Sequence, residues 1–175
     1  MEESNIKERL IQEFQNGNII DSGYRSVHGR YYVEIMDCHF KVDKGYIFEN
    51  IPAYEGMEVE NWYMENYYPL IKPQLNQMLQ QLNDNIWSRR AILTYNNPDD
   101  ITVCTNYTNC LIRANGRKNI LNYFVHMRAN DAVEYRTDNQ WHKYVAEELI
   151  IPNLKWNIDE YNIYWNADTF HWYVN

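Results

Sequence analysis

Paired cysteines are what this chain most plainly lacks. It has three, Cys38, Cys104 and Cys110, an odd number without Cys-x-x-Cys spacing. That argues against a disulfide framework and against a zinc knuckle, so reduced thiols and no metal site are expected. Long apolar runs are also missing. The longest, such as Leu149-Ile150-Ile151, fall far short of the roughly 20 residues of a membrane helix, and the acidic start Met1-Glu2-Glu3-Ser4 has no apolar h-region. The expectation is a cytoplasmic protein without a membrane partner. Positive charge is scarce as well: 16 Lys and Arg stand against 24 Asp and Glu, a net charge of −8. Broad nucleic-acid binding is disfavoured, because neutralising a phosphate backbone needs a basic face. A single small phosphorylated ligand needs only a local arginine pocket, for which Ser88-Arg89-Arg90 and Arg128 are candidates. Internal repeats and low-complexity linkers are absent too.

What is present is enough for one core. At 175 residues with 45% apolar side chains, the chain reads as a single domain spanning 1–175. Ile6, Leu10, Ile11 and Phe14 recur at helical spacing and end at Asn16-Gly17-Asn18. Tyr31 to Met36 and His39 to Val42 read as two strands, with Asp43-Lys44-Gly45 as a turn. Glu58 to Tyr68 reads as a helix stopped by Pro69, and Leu75, Met78, Leu79 and Leu82 mark the clearest amphipathic helix, over 70–82. An extended stretch runs from Ile86 to Tyr95. Thr105 to Arg113 and Asn119 to Met127 flank Ala114-Asn115-Gly116-Arg117, a hairpin turn. Trp141 to Leu149 reads as a helix, and the tail from Tyr161 to Val174 as a last strand with a bend.

Equal arms on that hairpin bring Cys104 and Arg128 to the same end. A thiolate adds to an electron-poor ring carbon, and a guanidinium holds a phosphate bidentately while lowering a neighbouring thiol's pKa.

The strings Ser88-Arg89-Arg90-Ala91-Ile92-Leu93, Asn97-Pro98-Asp99, Cys104-Thr105-Asn106, Met127-Arg128-Ala129-Asn130-Asp131-Ala132-Val133, Trp141-His142-Lys143-Tyr144-Val145, and Trp165-Asn166-Ala167 with His171-Trp172-Tyr173 follow one another in order. In them the chain resembles the thymidylate synthase and deoxycytidylate hydroxymethylase family, especially its short phage-type members. The abundance of Asn and Tyr suits the AT-rich coding of many phages. The resemblance implies an α+β fold, a thymidylate synthase-like mixed sheet with helices packed on one face. It also implies a homodimer across that sheet, in which Arg89 and Arg90 of one subunit reach the phosphate that Arg128 holds in the other.

By the same resemblance Cys104 would add to C6 of a pyrimidine deoxynucleotide such as dCMP or dUMP. C5 would then attack the one-carbon unit of 5,10-methylenetetrahydrofolate. Asp131 would line the site, and His171 and Tyr173 would bind the sugar 3′ hydroxyl. Asp138 or Asn139 falls at the base-reading position; the Trp141 helix favours Asp138, which leans toward cytosine and a hydroxymethylase. The catalytic glutamate should sit three residues before Trp62, where Val59 stands between Glu58 and Glu60, so either of those would serve. Ala129 replaces a phosphate-binding serine, at ~1 kcal/mol of binding. A long folate-side segment of the family is missing between Tyr63 and Tyr67, and the family's closing tail does not follow Tyr173. Two functions therefore stand side by side: a C1-transferase acting through Cys104, and a catalytically degenerate protein that senses or sequesters a nucleotide or inhibits a host factor that uses one.

Overall fold

The computed structural model describes residues 3–23, 29–42, 60–96, 106–115 and 118–174. The first helix, α1 (Glu3–Gln15), follows the apolar spacing: Ile6 and Leu10, one turn apart, are fully buried, and Phe14 lies 5.8 Å from Trp172, centroid to centroid. It stops where the sequence says. Gly17 takes φ +74°, and the Asn18 N–H returns to the Glu13 carbonyl at 3.0 Å, satisfying a helix-end acceptor.

Strand β1 (Ile20–Asp21) pairs with β2 (Tyr31–Lys41). Here the sequence reading is corrected: Tyr31 to Lys41 is one continuous strand, not two, and the turn expected at Asp43-Lys44-Gly45 lies outside the described residues. A second correction concerns Pro69. Helix α2 (Glu60–Asn66) ends before it, and Pro69 sits in the first turn of α3 (Tyr68–Asp84), where its missing N–H has no intrahelical partner to lose. Ile71, Met78, Leu79 and Leu82 form the buried stripe of α3.

Strand β3 is only Ala91–Thr94, shorter than the extended stretch read from Ile86, whose start is taken up by a turn in which the Ser88 N–H reaches the Asn85 carbonyl at 2.8 Å. One side chain closes this sheet edge. Gln74 donates to the Thr94 carbonyl at 2.8 Å and accepts the Thr94 N–H at 3.0 Å, so α3 covers polar groups that would otherwise invite another strand.

The two arms of the hairpin pair as expected, with Thr105, Gly116 and Arg117 outside the described residues: β4 (Asn106–Asn115) and β5 (Lys118–Asp131) run antiparallel, with Asn115 opposite Lys118 and Asn106 opposite Met127. Helix α4 (Tyr135–Tyr144) begins six residues before the predicted Trp141 start. It continues through a π-helical stretch, Val145–Ile150, and a 3₁₀ turn, Ile151–Asn153. That crossover lets the last strand, β6 (Glu160–Val174), lie parallel to β5.

The sheet order is β1-β2-β6-β5-β4-β3, with β5 and β6 the parallel pair. The inward residues of every long strand join one cluster with α1, α3 and α4, centred on the fully buried Trp165, Tyr135 and Phe170. Helices thus cover one face and leave the other open. Both β2–β6 and β5–β6 pairing skip a single row, occupied by Asp37, Asp168 and Arg128. On each strand the inward alternation changes phase there: Val33 and Ile35 give way to Cys38 and Phe40, Trp165 and Ala167 to Phe170, and Val125 and Met127 to Asn130. Asp37 takes φ 57°, a left-handed conformation that aspartate tolerates better than most residues. The kink sets Arg128 at the bend of β5.

Candidate functional site

Beyond the kink, the ends of β5 and β6 gather polar side chains. Asp131 lies beside His171 in the parallel register, with its Oδ2 3.8 Å from His171 Nε2. Its Oδ1 accepts the Val133 N–H at 2.7 Å, an aspartate turn that ends the strand, and the Ala132 N–H reaches the His171 carbonyl at 2.7 Å. His171 and Tyr173, two apart on β6, share a side as expected. Their rings meet edge-on at 5.3 Å, and Tyr32 of β2 packs against both at 5.9 and 5.8 Å.

The turn after Asp131 leads directly into α4, whose first turn folds back on the strand. Asn130 Nδ2 donates to Asp138 Oδ2 at 2.7 Å, and the Tyr63 hydroxyl of α2 donates to Asp138 Oδ1. Both carboxylate oxygens of Asp138 are therefore occupied, at 6% exposure. Its neighbour Asn139 is 3% exposed, and its Oδ1 has no hydrogen-bond partner; neither has Asn130 Oδ1. Of the two residues suggested for reading a base, Asp138 is engaged and Asn139 holds an unused acceptor.

Electrostatically this is an acid cluster. Burial pushes the Asp138 carboxyl up to about 7 against the pull of the Tyr63 hydrogen bond, with Glu134 adding to the rise. Burial, with Asp131 nearby, pushes Glu134 up to about 7. Two carboxyls that exchange protons near neutrality suit general acid–base chemistry. Glu134, Tyr63 and Asn130 were not singled out from the sequence. The signal was there in Glu134 and Asp138, four apart and so on one helical face, yet an acidic pair at that spacing reads equally as solvent-facing.

Tyr63 also forms one wall of a cleft of about 440 Å³ with Met64, Thr137, Gln140, Trp141 and Tyr144. Its ring stacks on Trp141 at 5.7 Å and 20°, and Trp141 stacks on Tyr144 at 5.8 Å and 28°. The volume is that of a small-ligand site.

Other expected residues lie apart. Cys104 and Glu58 fall outside the described residues. Glu60 is the first residue of α2, one turn ahead of Tyr63. Cys38 and Cys110 are buried, and burial pushes both thiols up, Cys38 to about 11, so neither is a nucleophile at neutral pH. Arg89 and Arg90 are exposed just before Ala91, which aligns through Cys110 with Tyr123. Arg128 lies five residues farther along β5, about 17 Å at the rise of a strand. A single chain does not bring the arginine pair to Arg128. Among the described residues no cluster of His, Cys, Asp and Glu is arranged to hold a metal ion, and no helix is long and apolar enough to cross a membrane.

No family model and no curated protein matches the sequence. The structure is similar to the solved thermostable thymidylate synthase A from Bacillus subtilis, with a TM-score of 0.58 and 14% identity, covering 99% of this chain and 80% of that one. At that identity the likeness speaks for the fold, which is thymidylate synthase-like.

Proposed function

We propose that this chain binds a pyrimidine deoxynucleoside monophosphate, dCMP or dUMP, and activates its C5 carbon through Cys104, as a C1-transferase of the thymidylate synthase or hydroxymethylase type. The observation that carries the reading is the convergence, at one end of a thymidylate synthase-like sheet, of Asp131, Glu134, Asp138, Asn139, His171 and Tyr173, with Arg128 at the adjoining bend. In this reading Arg128 anchors the phosphate, and His171 and Tyr173 take the sugar. The α4 residues meet the base. Asp138 favours cytosine once the Tyr63 hydroxyl yields its place, while Asn139 offers an acceptor without displacing anything.

Addition of the Cys104 thiolate to C6 forms the S–C6 bond and moves the ring's π pair toward C5, which becomes the carbon nucleophile. Once C5 has bonded to an electrophile, in simple exchange a proton from solvent, loss of its original proton returns the pair to the C5–C6 bond and expels the thiolate. Glu134 and Asp138, which titrate near neutrality, are the groups suited to carry the protons. The chain works as a homodimer across the open sheet face, and Arg89 and Arg90 of one copy complete the phosphate site of the other.

When bound, 5,10-methylenetetrahydrofolate would supply the one-carbon unit. The folate side fits poorly: α2 ends at Asn66 and α3 begins at Tyr68, so Tyr67 alone joins the helices where the family has a wall. The same junction favours a second reading, a degenerate binder that senses or sequesters the nucleotide. Release of tritium from C5-labelled dCMP and dUMP, with and without the folate, separates the two. Folate-dependent release lost in Cys104→Ser supports the enzyme, and nucleotide binding without any release supports the binder.

A further inference from the structure

On the open face, five strands line up one transverse row. His39 of β2 faces Asn166 of β6, which faces His126 of β5, which faces Tyr107 of β4, which faces Thr94 of β3. The first three are joined. His39 Nδ1 lies 2.6 Å from Asn166 Oδ1, and His39 Nε2 meets the Asp37 carboxylate. Asn166 Nδ2 lies 3.4 Å from His126 Nδ1. Tyr107 lies flat on the His126 ring, at 4.4 Å and 8°.

This wiring dictates charge. An amide oxygen and a carboxylate on its two nitrogens require His39 to donate from both, which only the imidazolium does. The amide N–H at the other end requires His126 Nδ1 to accept, which only a neutral ring does. In this orientation the amide imposes opposite protonation on the two histidines; turned over, it donates to a neutral His39 and accepts from His126 Nδ1, so in either orientation the row accommodates at most one added proton. The tendencies agree: hydrogen bonds to Asn166 and Asp37 push His39 up, while burial and then the His39 charge push His126 down. The charged groups around the row are Asp37 and Lys41 on β2, Asp168 on β6 and Arg128 on β5; β4 and β3 meet it with Tyr107 and Thr94. A second proton, on His126, sets an N–H against the amide N–H. It also adds a cation between His39 and Arg128.

The adjoining row, Asp37, Asp168, Arg128, runs from negative to positive across the sheet. A copy laid on it by a two-fold rotation brings its Arg128 over the acidic end, so the face is complementary to itself. Stacked Phe124 and Tyr164, 4.9 Å apart, and exposed Met36 and Tyr107 supply the apolar contact.

We propose that, in the homodimer already proposed, the His39–Asn166–His126 row on this face is the proton gate of the interface, closed with at most one added proton on the row and opened by a second. The gate rests on the homodimer reading above. Light scattering after size exclusion at about pH 8 and about pH 5, either side of the ordinary histidine range, tests it on the wild type and on His126→Phe, which keeps a ring on Tyr107. The expected result is a wild-type dimer that weakens at least about ten-fold on acidification, and a variant that stays dimeric at both pH values. A monomer at both overturns the dimer reading and the gate together. A wild-type dimer indifferent to pH, or a variant that dissociates in parallel with it, overturns the gate alone. Histidine NMR on the wild type checks the wiring without any variant: His39 and His126 titrate in sequence, and independent titration with coincident midpoints refutes the row.

Discussion

The Tyr63 hydroxyl donates to the buried carboxylate of Asp138, tying α2 to the first turn of α4. The bond joins the segment nearest the expected catalytic glutamate to the helix that carries the expected base reader. Tyr63→Phe removes the donor and leaves one oxygen of a buried carboxylate without its partner. The expected cost is about 1–3 kcal/mol in urea denaturation at neutral pH. The Asp138 carboxyl, which this bond holds down, titrates higher still in the variant, as carboxyl carbon NMR will show.

Stability falls as pH rises from about 4 to about 7. Asp138 and Glu134 have ordinary values of 3.8 and 4.5 and titrate near 7 in the folded chain, so in that window the native state holds protons the unfolded chain has released. Each group contributes at most about 1.4 kcal/mol per pH unit, less for Glu134, which is only part-buried. Asp138→Asn flattens the profile, and denaturation midpoints across that range measure it.

His142 works in the opposite direction. Burial pushes it down to about 3, so below its ordinary 6.5 the unfolded chain takes up a proton that the native state refuses, and stability drops with acid. Its Nδ1 is 3.1 Å from the Tyr123 hydroxyl. His142→Phe removes the opposing slope, so the variant gains more stability than the wild type on moving from about pH 7 to about pH 5, even where its absolute stability is lower.

The hairpin of β4 and β5 was legible because two strand-like arms of similar length flank the turn residues Asn115-Gly116. The break in β2 was misread because the alternation changes phase at Asp37, which looks like the end of a strand when only one strand is in view. The neighbouring breaks at Asp168 and Arg128 show it to be a kink shared by the three adjacent strands β2, β6 and β5. The start of α4 was hidden because Thr137, Asp138 and Asn139 look like a loop by composition, whereas Asp138 and Asn139 turn inward. Arg128 was suggested by the hairpin geometry and the scarcity of positive charge, and Asp131, His171 and Tyr173 by the resemblance. Tyr63, Asn130 and Glu134 emerge only from contacts that bring α2, β5 and α4 together.

The separation of Arg89 and Arg90 from Arg128 within one chain makes a further prediction. If the pair serves the other subunit, Cys104→Ser and Arg90→Ala chains, each inactive alone, regain activity on mixing. Random pairing gives one intact site in half of the dimers, roughly a quarter of wild-type turnover. C5 tritium release after subunit exchange measures it.

The most direct measurement is calorimetric titration of dCMP, dUMP and their unphosphorylated nucleosides into the wild type and Arg128→Ala. Binding of at least one nucleotide is predicted, absent for its nucleoside and weakened by about 10- to 100-fold in the variant, the scale of a charged hydrogen-bonded contact. No heat with any nucleotide, or binding indifferent to both the phosphate and Arg128, would contradict the account.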